Sequence, residues 1–121
     1  MATPDIIDVA TINGAMVAGA VSNSAHDIID VTAEHTFKVN VLAISNVDGT
    51  NDATISVSVS ADNGSNYYHL AKTVTVPADS TVYIISKDTS IYLDETDLLR
   101  VQASAANMLE YVCSYETLND A

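Results

Sequence analysis

Residues 53–76 read ATISVSVSADNGSNYYHLAKTVTV. Ile55, Val57, Val59 and Ala61 alternate with Thr54, Ser56, Ser58 and Ser60. Strict period-two alternation marks a strand with one face in a core and one in water. Asp62-Asn63-Gly64-Ser65 then supplies the positive-φ chemistry of a hairpin, NYYHLAKTVTV (66–76) returns, and Pro77-Ala78-Asp79 ends the second strand. The outward row of this ribbon is written in hydroxyls, with hardly a Lys or Glu.

The same period extends on both sides. In HTFKVNVLAIS (35–45), Phe37, Val39, Val41 and Ala43 fall on one face and Thr36, Lys38 and Asn40 on the other. SNVDGTND (45–52) is a dense turn, where Asp48-Gly49 predicts a reversal with positive φ. STVYIISK (80–87) is apolar on both faces, which predicts a central strand covered on both sides. IYL (91–93), an acidic turn Asp94-Glu95-Thr96-Asp97, LLRVQASA (98–105) and MLEYVCSYE (108–116) follow, the last with Leu109, Tyr111, Cys113 and Tyr115 on one face. No segment sustains a helical period over the roughly 10–12 residues a helix requires. The pattern predicts an all-β fold, an antiparallel β-sandwich, jelly-roll-like, of about eight strands.

The first residues differ. DIIDV occurs at 5–9 and again at 27–31, around an Ala/Gly/Asn-rich stretch that lacks aromatics. Two copies of so short a string do not make a repeat architecture. The expected division is an extended N-terminal arm over residues 1–24 and a sandwich domain over 25–121, with the arm either laid over a neighbour or simply mobile.

Composition narrows the function. The chain has 121 residues, of which 48% are apolar, so it forms a core rather than a disordered chain. Sixteen acidic residues stand against four basic ones, a net charge of -12. Nucleic-acid binding depends on Lys and Arg displacing counterions, so neither nucleic acid nor anionic membrane is an expected partner. Cys113 is alone, which leaves no internal disulfide and predicts a buried thiol. The start shows no basic and apolar leader and no apolar run approaches the roughly 20 residues of a spanning helix, so a soluble product of a cytosol is expected.

Catalytic signatures are missing. His26, His35 and His69 are scattered with no metal-ligand spacing, and no serine sits in Gly-x-Ser-x-Gly. Asp48-Gly49-Thr50-Asn51-Asp52 is rich in oxygen ligands but lacks the spacing of a calcium loop. Asp94 and Asp97 read as solvated turn carboxylates. Tyr67 and Tyr68, being adjacent in a strand, cannot both face one sugar ring. No enzyme activity, cofactor, metal or small-molecule substrate is expected.

In the predicted strands 36–45, 54–61, 66–76, 80–87, 98–105 and 108–116 the acidic residues are Glu110 and Glu116 alone. A neutral hydroxyl face can be covered by another protein at low desolvation cost, while acidic turns keep the free subunit soluble. The residues expected at such a contact are Ala15, Met16, Val17, Ala18 and Val21 of the arm, Ser56, Ser58 and Ser60 of the ribbon, and Tyr67 and Tyr68.

VNVLAISNVDGTNDATISVSVS (39–60), HLAKTVTVPADSTVYIISKDTSIYLDETDLLRVQASA (69–105) and EYVCSYE (110–116) resemble a group of small all-β virion proteins of tailed bacteriophages. In that group a strand leads into SNVDGTN, a VPA turn precedes a hydrophobic strand, and a YL-acidic-D-L-R-V-A segment precedes a last strand ending in SYE. The resemblance implies a non-enzymatic structural role in the virion, chiefly as a capsid decoration (cement) protein. Its implied partners are the major capsid protein and other copies of itself, as a homotrimer on the capsid surface. A neck, collar or tail component of the virion is the alternative, and a carbohydrate- or receptor-binding module a further one.

Overall fold

A computed structural model describes residues 11–119. Nine strands follow one another: β1 (Thr11–Ala20), β2 (His26–Asp30), β3 (His35–Asn46), β4 (Ala53–Ser60), β5 (Tyr68–Val76), β6 (Thr81–Ile85), β7 (Ile91–Asp94), β8 (Leu98–Ala103) and β9 (Leu109–Asn119). One sheet runs β1-β9-β3-β6, with β7 also on β3; the other runs β2-β8-β4-β5, and all pairings are antiparallel.

β9 pairs with β3 along its whole length, so β6 and β7 share the opposite edge of β3. β6 takes Leu42–Ser45 and β7 takes Thr36–Val39. They are two halves of one strand, broken by the 3-10 turn Lys87–Thr89, where the Ser86 N–H donates to Thr89 Oγ1 at 2.9 Å. With that strand counted once, the described residues form two four-stranded sheets and switch between them in the order of a jelly roll. The predicted sandwich is the observed one.

The core lies between the sheets. Val39, Leu42, Ile44, Ile85, Tyr111 and Cys113 come from one layer, and Ile29, Ile55, Val57, Leu99 and Val101 from the other; all are buried. Leu109, Tyr111 and Cys113 point inward as their alternation requires. Burial pushes the Cys113 thiol up to about 12. The thiolate is the reactive form, so thiol reagents at pH 8 are expected to label Cys113 only after denaturation. Fast, complete labelling of the native protein would show the packing around it to be open.

Four sequence expectations change in the structure. First, a β-bulge between Val39 and Val41 shifts the register of β3. Phe37 and Val39 face the core before it and Leu42 and Ile44 after it, which turns Val41 and Ala43 outward. Second, residues 80–87 are not a doubly covered strand: β6 lies on the edge and Tyr83 is 66% exposed. Third, Gly49 does not take positive φ. Asp48 shapes that turn instead, its Oδ1 accepting from the N–H groups of Thr50 (2.8 Å) and Asn51 (3.0 Å). These bonds, led by Asn51, hold its carboxyl below the usual range. At 62–65, by contrast, Asn63 and Gly64 take φ 59 and 91, as the predicted reversal demands.

The fourth concerns the arm. Residues 1–10, including the first DIIDV, lie outside the described residues. Residues 11–20 are the edge strand β1, in ten consecutive pairs with β9 from Thr11↔Asn119 to Ala20↔Glu110. Gly19 sits opposite Tyr111, whose phenol oxygen would lie 3.3 Å from a Cβ there. A side chain at position 19 would crowd that ring.

Candidate functional site

Residues directly opposite one another in antiparallel strands point to the same face. The registers therefore assemble the outer face of the β1-β9-β3-β6 sheet row by row. One row crosses all four strands as Ala18, Val112, Ala43 and Tyr83. The next is Met16, Ser114 and Val41. A third runs Gly14, Glu116, Lys38 and Tyr92. Met16 is 67% exposed, Tyr83 66%, Tyr92 52% and Val112 42%. The first two rows, with the Tyr92 ring at the end of the third, make an apolar band on a chain whose net charge is -12, and Glu116 and Lys38 lie beside it. Scattered exposed apolar residues need no explanation, but a row continuous across a sheet is the pattern of an interaction surface.

Polar groups border the band. Ala20, Glu110, Ser45 and Thr81 form the row on one side, where the Ser45 and Thr81 hydroxyls are hydrogen-bonded at 2.9 Å. On the other side Asn40 Nδ2 donates to Glu116 Oε2 at 2.9 Å. An apolar centre within a polar border is the anatomy of a docking patch.

The hydroxyl ribbon of β4 lies on the opposite face of the molecule, and half of it is covered by the chain itself. Ser58 is buried and stands opposite Arg100 of β8 and His69 of β5. The Arg100 guanidinium lies 3.7 Å from the centre of the Tyr67 ring. Asp27 Oδ1 accepts from both Arg100 Nε (3.1 Å) and the Tyr67 hydroxyl (3.0 Å). Burial, then the Asp27 carboxylate, raises the Tyr67 phenol above its ordinary value. Ser60 is 1% exposed; its Oγ donates to Asp62 Oδ1 (2.8 Å) and accepts from the Gly64 N–H (2.8 Å), closing the 60–66 turn. Arg100→Ala is expected to cost about 1 kcal/mol, because the pair is one-third exposed and screened. Thermal denaturation at low and high salt measures that cost, which should shrink with salt.

The sequence-predicted contact residues thus divide. Met16 and Ala18 belong to the exposed band; Ala15 and Val17 point the other way, half-buried on the inner face of β1. Val21 is a core residue, 1% exposed, its N–H donating to the Leu109 carbonyl at 2.9 Å. Burial takes Val21, Ser58 and Ser60 off the surface. Ser56 accepts from the Thr73 N–H at 3.0 Å, and Tyr67 is engaged by Arg100. Tyr68 alone of the tyrosine pair is open, 69% exposed on the β5 edge. The residues that sequence reading missed are Val41, Ala43, Tyr83, Tyr92 and Val112. Their signal was STVYIISK: apolar side chains on both faces of an edge strand mean that the outer face is apolar.

Shallow depressions among the described residues include one of about 200 Å³ beside Thr54, Ser56, Thr73 and Gln102 and one of about 300 Å³ beside Ala18, Ala20, Glu110 and Val112. Small-molecule sites occupy roughly 300–1,000 Å³ and enclose their ligand. Among the described residues no three His, Cys, Asp or Glu are placed to hold a metal ion. The hydrogen bonds of His26 and His35 go to backbone groups, to the Ser22 N–H and the Ala33 carbonyl, rather than to a nucleophilic side chain.

No family model matches the sequence, and no curated protein matches it significantly. A subunit of Bacillus endospore appendages, from a family of disulfide-linked pili, is similar in fold: TM-score 0.55 at 12% identity, over 92% of this chain and 88% of that one. A pentameric capsid protein isolated from metagenomic phage sequences gives a TM-score of 0.43 at 16% identity, over 87% of this chain. The chain spans 62% of that capsid protein. The pilus subunit shares the sandwich fold, and at that identity the likeness speaks for the fold alone.

Proposed function

We propose that this protein is a non-enzymatic structural component of a tailed-phage virion, a capsid decoration protein that docks on the shell through the outer face of its β1-β9-β3-β6 sheet. The observation that carries the reading is the row Ala18–Val112–Ala43–Tyr83, which crosses the whole sheet without a charge. Covering it removes apolar area from water at about 25 cal/mol per Å² and desolvates no ion. The sequence resemblance to small virion proteins supports the location. The fold shared with an appendage subunit is in keeping with an assembly role.

The mechanism is mechanical. One sheet face contributes a modest affinity, and many copies across capsomer boundaries add those contacts into a restraint on the shell. Acidic turns such as 48–52 then sit at the periphery, where like charges keep unbound subunits apart. Quantitative mass spectrometry of purified particles tests the reading. Hundreds of copies per virion are expected for decoration. About six to a few dozen would move the protein to the neck or tail, and absence from particles would end the virion reading.

A further inference from the structure

Three of the four sheet edges carry a device against strand addition, of the kinds that keep sheets from joining. β2 presents Asp27 and Asp30. β5 is bulged twice against β4, holds Lys72 and bends at Thr73, whose φ is 51. β6 and β7 have five and four residues, are separated by the 3-10 turn, and β7 ends on Asp94. β1 has none of these. It is ten residues long, without charge or proline, and its register with β9 is unbroken. Among the described residues β9 is its one strand neighbour, so a row of N–H and C=O groups points outward along roughly 34 Å.

Charge indicates what fits there. A basic partner would be drawn to the acidic turns, not to an uncharged strand. A second copy could meet this one only where its net charge of -12 is locally absent, and β1 is such a place. In a two-fold antiparallel pairing about Met16, Ile12 meets Ala20, Gly14 meets Ala18 and Met16 meets its symmetry mate. No like charges are opposed. Because even-numbered residues of β1 share the outer face, this register carries the apolar band from one subunit into the next and covers Met16.

We infer that β1 is a homodimerisation edge, joining two copies into one continuous sheet. This goes beyond docking on a shell and is independent of it. It also replaces the homotrimer expected from sequence, because an isologous edge closes at two. With ten residues a side against the 20–30 of a standard interface, the dimer is expected to dissociate on dilution.

Sedimentation equilibrium from about 1 µM to several hundred µM tests it. Wild type is expected to show a reversible monomer–dimer equilibrium. Met16→Lys combined with Ala18→Lys should remain monomeric throughout, with an unchanged far-UV spectrum, whereas Tyr68→Lys on the β5 edge should dimerise as wild type does. Met16→Cys should form a disulfide-linked dimer on oxidation, with Cys113 buried and uninvolved. A wild type that stays monomeric, or a double-lysine variant that dimerises equally, overturns the inference. A wild type that dimerises but does not bind undecorated heads would count against the shell reading alone.

Discussion

Val112→Asp combined with Tyr83→Asp is expected to leave the sandwich folded and to abolish its binding to undecorated heads. Both side chains point away from the core, on strands whose inner faces are filled by Tyr111, Cys113 and Ile85. Stability should change by about 0.5 kcal/mol or less per site, as for other exposed substitutions. Binding should respond far more strongly. Two carboxylates pressed into an apolar contact without partners cost about 2–3 kcal/mol each, so affinity should fall at least ~100-fold. Co-sedimentation with heads gives the affinity and circular dichroism the fold. A folded double variant that binds like wild type would move the contact elsewhere. The exposed β5 edge, with Tyr68 and Leu70, is then the next surface to test.

The second large effect is on stability, at Asn46. This side chain is 3% exposed at the end of β3 and holds three backbone segments together. Its Nδ2 donates to the carbonyls of Asn51 (3.0 Å) and Val76 (2.9 Å), and its Oδ1 accepts from the Asp48 N–H (2.9 Å). Asn46→Ala removes all three bonds and leaves the Val76 carbonyl buried without that partner. Unsatisfied buried groups cost about 1–3 kcal/mol each, and partial relaxation of the exposed turn reduces the total. The expected loss is ~3 kcal/mol, a fall in Tm of roughly 10 °C. A change below about 1 kcal/mol would mean that the 46–52 turn is held chiefly by Asp48 and not by Asn46.

Local sequence carried the architecture because period-two alternation is a local property. Ile55 and Val57, or Leu109, Tyr111 and Cys113, reveal their face within a few residues, and Asn63-Gly64 reveals its turn. What escaped sequence reading depends on residues far apart. The alternation puts Ser58 in solvent, because nothing near it says that Arg100, 42 positions on, and Tyr67 will cover that part of the sheet. The bulge after Val39 leaves no mark in VNVLAIS, yet it decides that Val41 and Ala43 face outward. The pairing of β1 with β9 joins opposite ends of the described chain. The alternation of the arm is blurred by glycine and alanine, so no face could be assigned to it. For that reason both faces of the arm enter the expected contact, Ala15 and Val17 as well as Met16 and Ala18, and only the second pair lies on the band.

Hydroxyl-radical footprinting of the free protein and of assembled particles tests the central claim most directly, since it reports which sheet face a partner covers. Tyr83 and Tyr92 lie on the β1-β9-β3-β6 face and Tyr68 on the edge of the other sheet; all three are exposed in the subunit. Assembly is predicted to protect Tyr83 and Tyr92 strongly and to leave Tyr68 labelled as in the free protein. Protection of Tyr68 with Tyr83 and Tyr92 still fully labelled would contradict the account.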